Sequence, residues 1–391
     1  MKVAISLFTM TPGHMTGTAS YAHAVVGGLL DPAHAVEPIV LVNPLMRDLR
    51  LRWQLPAQSV ALITSFPVRN TRASRLAMLG HSLLFPDKAT RQIPNDIAVI
   101  HYPLTLPFPS FRRPRVVTLH DVVHHDLPHF FSRAQRRWRK HVYDDSARSA
   151  TLVVTPCDHA KRRAVETLGL DPSRIEVIPL GIDHGLYSPR GADDDRILRP
   201  LRVPRRFLLY PAALLPHKNH FALIDAMARL DDKEIELVLT GPSLGNLRRL
   251  HLRAHERGVG ERVRHLGFVS GSQLAALYRS ATLMVFPSLY EGFGAPSIEA
   301  MACGCPVVAS RSGALPEVCG DAAAYYDAMA PEDIAESIRV LLADSSKRSM
   351  LSSRGIQRAR VFTWRAAASR HAMVYRRAAL EGRDQTDAAG R

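Results

Sequence analysis

The sequence predicts an α/β protein with two doubly wound parallel-sheet domains that face a central cleft. The chain has 391 residues, which is too long for one hydrophobic core of ordinary size. Short β-branched and apolar runs alternate with helical patterns, as they do in parallel α/β sheets. This alternation occurs twice along the chain. Ligands of such sheets bind at the carboxyl ends of the strands, so we expect the functional residues there.

The first alternation defines a domain over residues 1–187. Helices are expected at Ala19–Leu30, Ser132–Ala150 and His159–Leu168, and residues 43–95 show no clear period. The β-branched and apolar runs predict strands at Lys2–Phe8, Pro38–Val42, Ala98–His101, Val116–Leu119, Leu152–Thr155 and Glu176–Pro179.

A linker and a second alternation follow. Residues 188–204 combine Pro, Gly and an acidic run, which is typical of a linker. The second domain covers 205–363, a helix at 364–382 is expected to pack back on the first domain, and 383–391 is expected to be a frayed tail. Helices are expected at 219–230, 244–257, 272–280, 295–303, 331–343 and 346–360. Strands are expected at Phe207–Ala212, Ile235–Thr240, Val263–Phe268, Leu283–Phe286 and Val307–Ala309.

Composition excludes several classes of protein. A hydrophobic fraction of 46% indicates folded domains, and no apolar run reaches the roughly 18–20 residues that span a bilayer. The opening MKVAISLF lacks a small-residue cleavage site, so we interpret it as a first strand and not as a signal peptide. The four cysteines suit a reduced cytoplasm, and Cys303 and Cys305 are expected to pack as small apolar residues.

The net charge of +15 is concentrated near the N-terminus. Residues 1–165 contain 21 Lys and Arg against 10 Asp and Glu. No helix-turn-helix, zinc finger or aromatic RNA-binding signature accompanies this charge, so nucleic acid is not an expected partner. An anionic lipid surface or an acceptor that carries phosphate would fit it. A solvated basic face that reflects an Arg-rich and Ala-rich composition is the alternative.

The stretch Phe286–Ser310, FPSLYEGFGAPSIEAMACGCPVVAS, contains a strand, a glycine loop, a helix and a second strand. Its two carboxylates, Glu291 and Glu299, could be the acid and the nucleophile of a glycosidase, or acceptors for vicinal hydroxyls. Gly292 and Gly294 lead into a helix whose first turn holds a proline. Such a turn directs free N–H groups at an anion, which favours phosphate recognition over activation of water.

Another glycine turn, TMTPGHMTGT after the first strand, carries Gly13 and Gly17. Its backbone N–H groups could face an anion or a sugar hydroxyl. It is not GxGxxG, so a nicotinamide-dependent oxidoreductase is not supported.

These motifs together resemble the signature of family 4 retaining glycosyltransferases of the GT-B fold, in which two Rossmann-like domains face a cleft. The resemblance covers most of the chain. Within the family, the motifs are similar to those of bacterial enzymes that build surface polysaccharides, many of which are mannosyltransferases. It rests on Glu291-x7-Glu299 and on VVTLHD at Val116–Asp121, IPLGID at Ile178–Asp183, YPAALLPHKNH at Tyr210–His220, LGFVS at Leu266–Ser270 and SGALPEV at Ser312–Val318.

The resemblance implies donor-binding roles in the second domain. Glu299 would hold the ribose hydroxyls of a nucleotide, and Lys218 would pair with the diphosphate. Glu291 would contact the transferred sugar and the diphosphate together with the backbone of Gly292, Phe293, Gly294 and Ala295. The family commonly has an arginine where this chain has Ala212 or Ala213, so one donor cation is unassigned.

Further contacts are implied by the same resemblance. His120, with Lys218 and Glu291, would be catalytic, and it would hydrogen-bond a hydroxyl of the reacting sugar. Asp121 and Gly17 would contact the donor from the first domain. Gly241 would let a backbone approach the phosphates, and the nucleobase would lie against Phe268 and Val269.

Four histidines near the end of the predicted Val116–Leu119 strand raise the possibility of zinc. His120 and His124, and likewise His125 and His129, have i,i+4 spacing, but Val122, Val123 and Pro128 argue against a continuous helix. GT-B enzymes generally bind their donors without a catalytic metal. We therefore expect no metal and no cofactor, with the nucleotide sugar as co-substrate.

The resulting prediction is a retaining glycosyltransferase that moves a sugar from a nucleoside-diphosphate sugar to a hydroxyl of a glycan or lipid-linked glycan. GDP-mannose is the favoured donor, and UDP- and dTDP-sugars remain open. The expected location is the cytoplasm, at the inner face of the plasma membrane if the basic domain contacts lipid. The alternatives are a nucleotide-sugar hydrolase or epimerase on the same fold, and a non-catalytic sugar-nucleotide-binding subunit.

Overall fold

The computed structural model describes residues 1–11, 17–64, 90–109, 111, 113–191 and 193–389, and isolated positions between 71 and 88. The chain divides into two compact units. Unit 1 consists of Met1–Gly181 and Trp364–Arg391, and unit 2 consists of Ile182–Thr363. Each unit is built on its own parallel sheet.

Unit 1 contains, in its described residues, a seven-stranded sheet with the order β3-β2-β1-β4-β5-β6-β7. All of its strand pairs are parallel. Strands β2 and β3 are added successively on one side of β1. Strand β4 then pairs with the other side of β1, and β5, β6 and β7 follow on that side. The strands are β1 Lys2–Ser6, β2 Glu37–Val42, β3 Val60–Leu62, β4 Ile97–Tyr102, β5 Arg115–Thr118, β6 Leu152–Thr155 and β7 Ile175–Val177.

Unit 2 has a six-stranded parallel sheet with the order β10-β9-β8-β11-β12-β13. Its direction reverses between β8 and β11. The strands are β8 Phe207–Pro211, β9 Glu236–Thr240, β10 Val263–His265, β11 Leu283–Phe286, β12 Val307–Ser310 and β13 Ala323–Tyr326. The prediction of two doubly wound parallel sheets is confirmed.

The α-helices of the described chain flank these sheets. They are α1 Gly17–Leu29, α2 Leu49–Arg52, α3 Val123–Asp126, α4 Arg133–Arg139, α5 Asp145–Arg148, α6 Asp158–Leu168, α7 Asp194–Leu198, α8 His220–Ala228, α9 Leu247–Glu256, α10 Gly271–Ser280, α11 Ala295–Ala302, α12 Leu315–Cys319, α13 Pro331–Ala343, α14 Ser345–Ala359 and α15 Trp364–Ala389.

The last helix, α15, packs against α1, β4 and β5 of unit 1. A Cβ added to Gly28 of α1 would lie 2.7 Å from the Cβ of Ala368, so the two helices approach closely at that point. Tyr375 and Ala378 of α15 belong to one of the two hydrophobic clusters of unit 1, with the core residues of α1 and β1. Helix α15 therefore completes the core of the unit that begins at residue 1.

Three predicted boundaries differ from the structure. Residues 182–187, assigned to the first domain, fall in unit 2 because Ile182 bridges to Thr363 and donates its N–H to the Phe362 carbonyl at 3.2 Å. The predicted linker 188–204 contains α7, which is fixed by ion pairing of Asp194 with Arg279 at 2.6 Å. The expected tail is helical through Ala389, since residues 383–389 contain neither glycine nor proline.

The predicted helical stretch Ser132–Ala150 is helical over Arg133–Arg148, but it is not a regular α-helix in its middle. The chain forms α4, then a π-helical turn at Lys140–Asp144, then α5. The wider turn shifts the helical phase and directs Asp144 toward His124 and His125, whose Nε2 atoms lie 2.9 and 2.8 Å from its carboxylate oxygens.

Candidate active site

In unit 2, four predicted site segments follow neighbouring strands at one edge of the sheet. Lys218 follows β8, Gly241 follows β9, Phe268 follows β10 and Glu291 follows β11. Because all these strands are parallel, their carboxyl ends lie at the same edge. Lys218 and Glu291 flank the point where the strand order reverses, which is where ligands of doubly wound sheets bind.

Lys218 and Glu291 form an ion pair. The Lys218 Nζ donates to Glu291 Oε1 at 2.5 Å. Their side chains are 19% and 9% exposed, so the pair is largely removed from water. An ion pair with so little solvent exposure is suited to binding a ligand that carries charges and hydroxyl groups.

Buried hydroxyl groups fix the backbone beneath this pair. The Tyr210 hydroxyl donates to the Lys218 carbonyl at 2.9 Å, so it accepts the hydrogen bond from the Ser288 hydroxyl, also at 2.9 Å. Leu289 donates its N–H to the His217 carbonyl at 2.8 Å. These bonds join the loop after β8 to the loop after β11 and thereby set the positions of Lys218 and Glu291.

Gly313 packs against the backbone of Glu291. It has φ +59°, and an added Cβ would lie 2.5 Å from the Glu291 carbonyl oxygen and 2.8 Å from its nitrogen. The next residue, Ala314, donates its N–H to the same carbonyl at 3.0 Å. The SGALPEV segment, which sequence reasoning left without a role, therefore supports the Glu291 loop from behind.

Helix α11 begins directly after the loop that was predicted to bind phosphate. Gly294 precedes the helix with φ +85°, and its Cβ position is occupied by Leu315 at 2.5 Å, so only glycine fits. The Gly294 carbonyl accepts from the Ser297 hydroxyl at 2.7 Å. Gly292, Phe293, Gly294 and Ala295 thus lead into a helix whose positive end lies beside Glu291, a suitable place for an anion.

Glu299 lies on α11 and accepts a hydrogen bond from the Tyr278 hydroxyl at 3.1 Å. Burial raises the pKa of Glu299 to about 7, and the Tyr278 hydrogen bond opposes that rise. The carboxyl group therefore titrates near neutral pH.

The remaining predicted donor contacts of unit 2 follow β9 and β10. Gly241 has φ +114°, and a Cβ there would lie 2.9 Å from the Ala212 carbonyl carbon and oxygen, so this glycine is required by the protein itself. Phe268 is 62% exposed, whereas Val269 is buried. An exposed phenylalanine beside a buried valine provides an apolar surface at the carboxyl edge of the sheet.

Two of the unit 1 candidates, His120 and Asp121, line a cavity of about 400 Å³. Its walls come from the loop after β1, the start of α1 and the loops after β4 and β5. They include Thr9, Thr18, Thr105, His120, Asp121 and Arg139. The described part of this cavity brings His120 and Asp121 together with a cation that sequence reasoning did not single out.

His120 is held by two neighbours. Its Nε2 donates to the Pro103 carbonyl at 2.8 Å, and the Tyr21 ring meets its edge with centroids 5.1 Å apart. Burial lowers the pKa of His120, which favours the neutral imidazole at pH 7. With Nε2 as the donor, Nδ1 is free of a proton and can accept a hydrogen bond from a hydroxyl.

Asp121 and Gly17 occupy less distinctive positions. The Asp121 carboxylate accepts from the Val123 N–H at 3.0 Å, so part of its role is to hold the start of α3. Gly17 begins α1, and an added Cβ would meet no described residue within 4 Å. Gly13 lies outside the described residues.

The residues that lie together are not the i,i+4 histidine pairs that the sequence suggested for zinc. His124 and His125 contact Asp144, and these are the residues that could jointly hold an ion in the described chain; His120 and His129 are not members of the group. The two imidazoles hydrogen-bond both carboxylate oxygens of a buried aspartate.

Several residues of these sites were not found by sequence reasoning. Tyr278 bonds Glu299, Tyr210 and Gly313 support the Lys218–Glu291 pair, and Tyr21 orients His120. They act through contacts between segments distant in the sequence. Tyr210 and Gly313 belong to motifs that carry the resemblance, but no local pattern marks the contacts that they make.

Two family models match the chain. The model for glycosyltransferase family 4 matches residues 15–186, and the model for glycosyl transferases group 1 matches residues 193–358. The chain belongs to the family 4 glycosyltransferases of the GT-B fold. The two matched ranges correspond to the bulk of unit 1 and of unit 2 of this glycosyltransferase.

Curated relatives include named mannosyltransferases. The glycosyltransferase is 34% identical over 252 residues to the MMP alpha-(1->4)-mannosyltransferase of Mycolicibacterium hassiacum, covering 62% of this chain and 58% of that one. It is 29% identical over 299 residues to O-antigen chain mannosyltransferase B of Escherichia coli, covering 75% and 78%. The match spans about half the length of several D-inositol 3-phosphate glycosyltransferases.

Solved structures share the fold. Sucrose-phosphate synthase from Thermosynechococcus elongatus gives a TM-score of 0.78 at 21% identity, covering 96% of this chain and 98% of that one. Anabaena HepE in complex with UDP and glucose gives 0.72 at 21% identity, covering 95% and 98%. Among the described residues of the glycosyltransferase, no helix has the length and apolarity needed to cross a bilayer.

Proposed function

We propose that this glycosyltransferase transfers a sugar from a nucleoside-diphosphate sugar to a hydroxyl of a glycan or lipid-linked glycan, with retention at the anomeric carbon and without a metal. The observation that carries the proposal is the Lys218–Glu291 pair at the strand-order reversal, beside the N-terminus of α11. A cation, a carboxylate and helix N–H groups in one place match a sugar diphosphate.

The proposed roles follow from the chemistry of each group. Lys218 and the N–H groups around Gly292 and Ala295 stabilise the negative charge that grows on the leaving diphosphate. Glu291 accepts hydrogen bonds from the transferred sugar, and Glu299 from the ribose hydroxyls. His120 accepts a hydrogen bond from a sugar hydroxyl through Nδ1. The bond from the anomeric carbon to the phosphate oxygen breaks, the acceptor oxygen bonds the same face, and its proton passes to the departing phosphate.

The proposed donor is GDP-mannose. Two relatives are named as mannosyltransferases, which supports a mannosyl donor. The neighbour with UDP and glucose keeps a UDP-sugar as the alternative. The proposed acceptor belongs to surface polysaccharide assembly, since one relative is named for the O-antigen chain. Such an acceptor would place the enzyme at the cytoplasmic face of a membrane.

The test is a panel of nucleotide sugars scored by thermal shift, because a ligand that binds the native state raises the melting temperature. GDP-mannose should give the largest shift, and EDTA should leave it unchanged. NMR of the product formed with an acceptor should show the anomeric configuration of the donor. Turnover without an acceptor would instead indicate a hydrolase or an epimerase, and binding without any turnover would indicate a non-catalytic subunit.

A further inference from the structure

A second cavity of unit 1 is strongly basic. Its volume is about 1160 Å³, and it is lined by α4, the π-helical turn and α5 together with His124 and His125. Five of its lining residues are cationic and one, Asp145, is acidic; the cations are Arg133, Arg136, Arg137, Lys140 and Arg148. A cavity with this charge balance has a positive potential that attracts anions.

The cations follow a helical stripe. Arg133, Arg136, Arg137 and Lys140 have the spacing i, i+3, i+4 and i+7, which places them on one face over about 10 Å of helix. Arg139, on another face of α4, lines the His120 cavity. One helix therefore contributes cations to both cavities.

Arg133, Arg136, Arg137 and Lys140 form no ion pair with another described residue. Within the described part of the chain, none of them has a carboxylate at ion-pair distance, whereas Asp145 pairs with Arg148 at 3.6 Å and His141 at 3.1 Å. The Nε of Arg136 is buried and has no hydrogen-bond partner among the described residues. A buried N–H without an acceptor is costly, and a bound anion would satisfy it.

Hydrogen bonds hold the side chains behind the cavity wall in place. Asp144 is 2% exposed and accepts hydrogen bonds from His124 and His125. Burial alone would raise the pKa of Asp144, but these two hydrogen bonds hold it below its usual value. The π-helical turn that aims Asp144 inward leaves Lys140 on the cavity side.

We propose that this cavity, lined by the Arg133, Arg136, Arg137 and Lys140 stripe, binds a ligand that carries two or more phosphate groups. The stripe is long enough to contact more than one phosphate group. The guanidinium group of arginine can donate two parallel hydrogen bonds to two oxygens of one phosphate. A divalent metal on His124, His125 and Asp144 is disfavoured by the surrounding positive charge. The cavity belongs to unit 1, whereas Lys218 and Glu291 belong to unit 2. Identifying its ligand with the glycosyl acceptor rests on the proposed function.

Inorganic pyrophosphate is the first probe, measured by calorimetry on the full chain at low and physiological salt. Lys218→Ala removes the proposed donor cation, so pyrophosphate binding that remains in this variant reports the basic cavity. In that background Arg133→Gln with Arg137→Gln should weaken binding about tenfold or more, since each charged hydrogen bond is worth over 1 kcal/mol. Both residues are exposed, so folding should be preserved.

Matched controls separate the site from net charge. Arg91→Gln with Arg162→Gln removes two exposed arginines of unit 1 outside the cavity and should leave binding unchanged. Vesicles with and without cardiolipin, a lipid whose headgroup carries two phosphates, identify the source. Sensitivity of vesicle binding to Arg133 and Arg137 assigns a lipid headgroup, and pyrophosphate binding alone assigns a soluble phosphate ester.

Three results would overturn the proposal: no binding of either probe, equal losses in the paired variants, or Zn²⁺ binding that requires Asp144 without pyrophosphate binding. Nucleotide-sugar binding should be unaffected by Arg133→Gln with Arg137→Gln. A failure of the phosphate site is therefore distinguishable from a failure of the proposed transfer reaction.

Discussion

Glu299 combines a partly buried position with a titratable carboxyl group, and its pKa of about 7 has a consequence for donor binding. Only the ionised form accepts two hydroxyl hydrogen bonds. We expect the affinity for a nucleoside diphosphate to fall about tenfold for each pH unit below this pKa. Calorimetry with GDP across this range measures the effect.

Glu299→Gln is the control for that measurement, because the amide does not titrate. Its GDP affinity should be low, and its pH dependence should be limited to the titration of GDP itself. Identical pH profiles for the two proteins would remove Glu299 from the ribose site.

The Lys218–Glu291 pair allows a second residue-level prediction. Removing one partner of a buried ion pair leaves an unpaired charge and costs about 3 kcal/mol or more of unfolding free energy. Lys218→Met should therefore destabilise unit 2, and adding Glu291→Gln should restore part of the loss. Chemical denaturation of the two single variants and the double variant gives the coupling energy; independent effects would show that the pair does not form in solution.

At the scale of elements, the support of the Glu291 loop by Gly313 is testable with two alanine variants. Gly313 and Gly258 both have positive φ, at +59° and +69°, but only Gly313 would bring a Cβ against backbone. Both substitutions carry about 1 kcal/mol of left-handed strain. Gly313→Ala should in addition displace Glu291 and weaken donor binding.

Gly258→Ala meets open space, so its donor affinity should match that of the unmodified enzyme. Thermal melting measures the strain of both variants, and GDP-mannose titration measures the displacement. Equal donor affinities would mean that the Glu291 loop does not depend on Gly313.

The secondary-structure elements that could be predicted from the sequence are those with a strong local pattern. Leu152–Thr155 and Leu283–Phe286 are strands with the predicted limits because each is a short β-branched or apolar run. Strands β3 and β13 were missed: Val60–Leu62 is partly exposed at a sheet edge, and AAYY at Ala323–Tyr326 lacks an apolar period. The π-helical turn depends on the distant pairing of Asp144 with His124 and His125.

The candidate site was predictable to a similar degree. Motif residues such as Lys218, Glu291 and Glu299 could be named because their loops have distinctive glycine and proline spacing. The Lys218–Glu291 pair and the contact of Tyr278 with Glu299 could not be predicted. The pair forms only when two strands place their carboxyl ends together, and the contact forms only when α10 packs against α11.

At the scale of the whole molecule, a buried hydrogen-bond chain joins α15 to the sheet of unit 1. His371 Nδ1 donates to the Ala367 carbonyl at 2.8 Å, so its Nε2 accepts from the Tyr21 hydroxyl at 2.7 Å. Tyr21 in turn accepts from Thr118 at 2.9 Å, and Thr118 accepts from His101 Nε2 at 2.8 Å. His101 Nδ1 is left to accept from the α15 tyrosine at 2.8 Å. Both histidines are neutral in this arrangement.

Burial lowers the pKa of His371 to about 4, below the unfolded value of about 6.5. The unfolded state therefore binds the proton first as pH falls. The stability that neutral His371 contributes is fully present above the unfolded pKa of about 6.5. About 3 kcal/mol of unfolding free energy is lost as pH falls from that value to the folded pKa of about 4. Calorimetric melting of the intact enzyme between these two pH values measures the loss.

His371→Gln is the control, because Glu299 has a raised pKa and contributes the opposite slope in unit 2. The variant should melt lower at neutral pH and lose less stability on acidification than the unmodified enzyme. Parallel melting curves against pH would contradict the assignment to His371.

The position of α15 also determines the order of events during synthesis. Residues 367–378 complete the core that begins with β1, so unit 1 is assembled from the two ends of the chain. Unit 2 is continuous in sequence, so its segments are all synthesised before α15. A nascent chain stopped before Trp364 would lack the residues of α15 that share a hydrophobic cluster with Val26 and Leu29 of α1. Synthesis of α15, and not the emergence of the first 181 residues, therefore sets when unit 1 can become native.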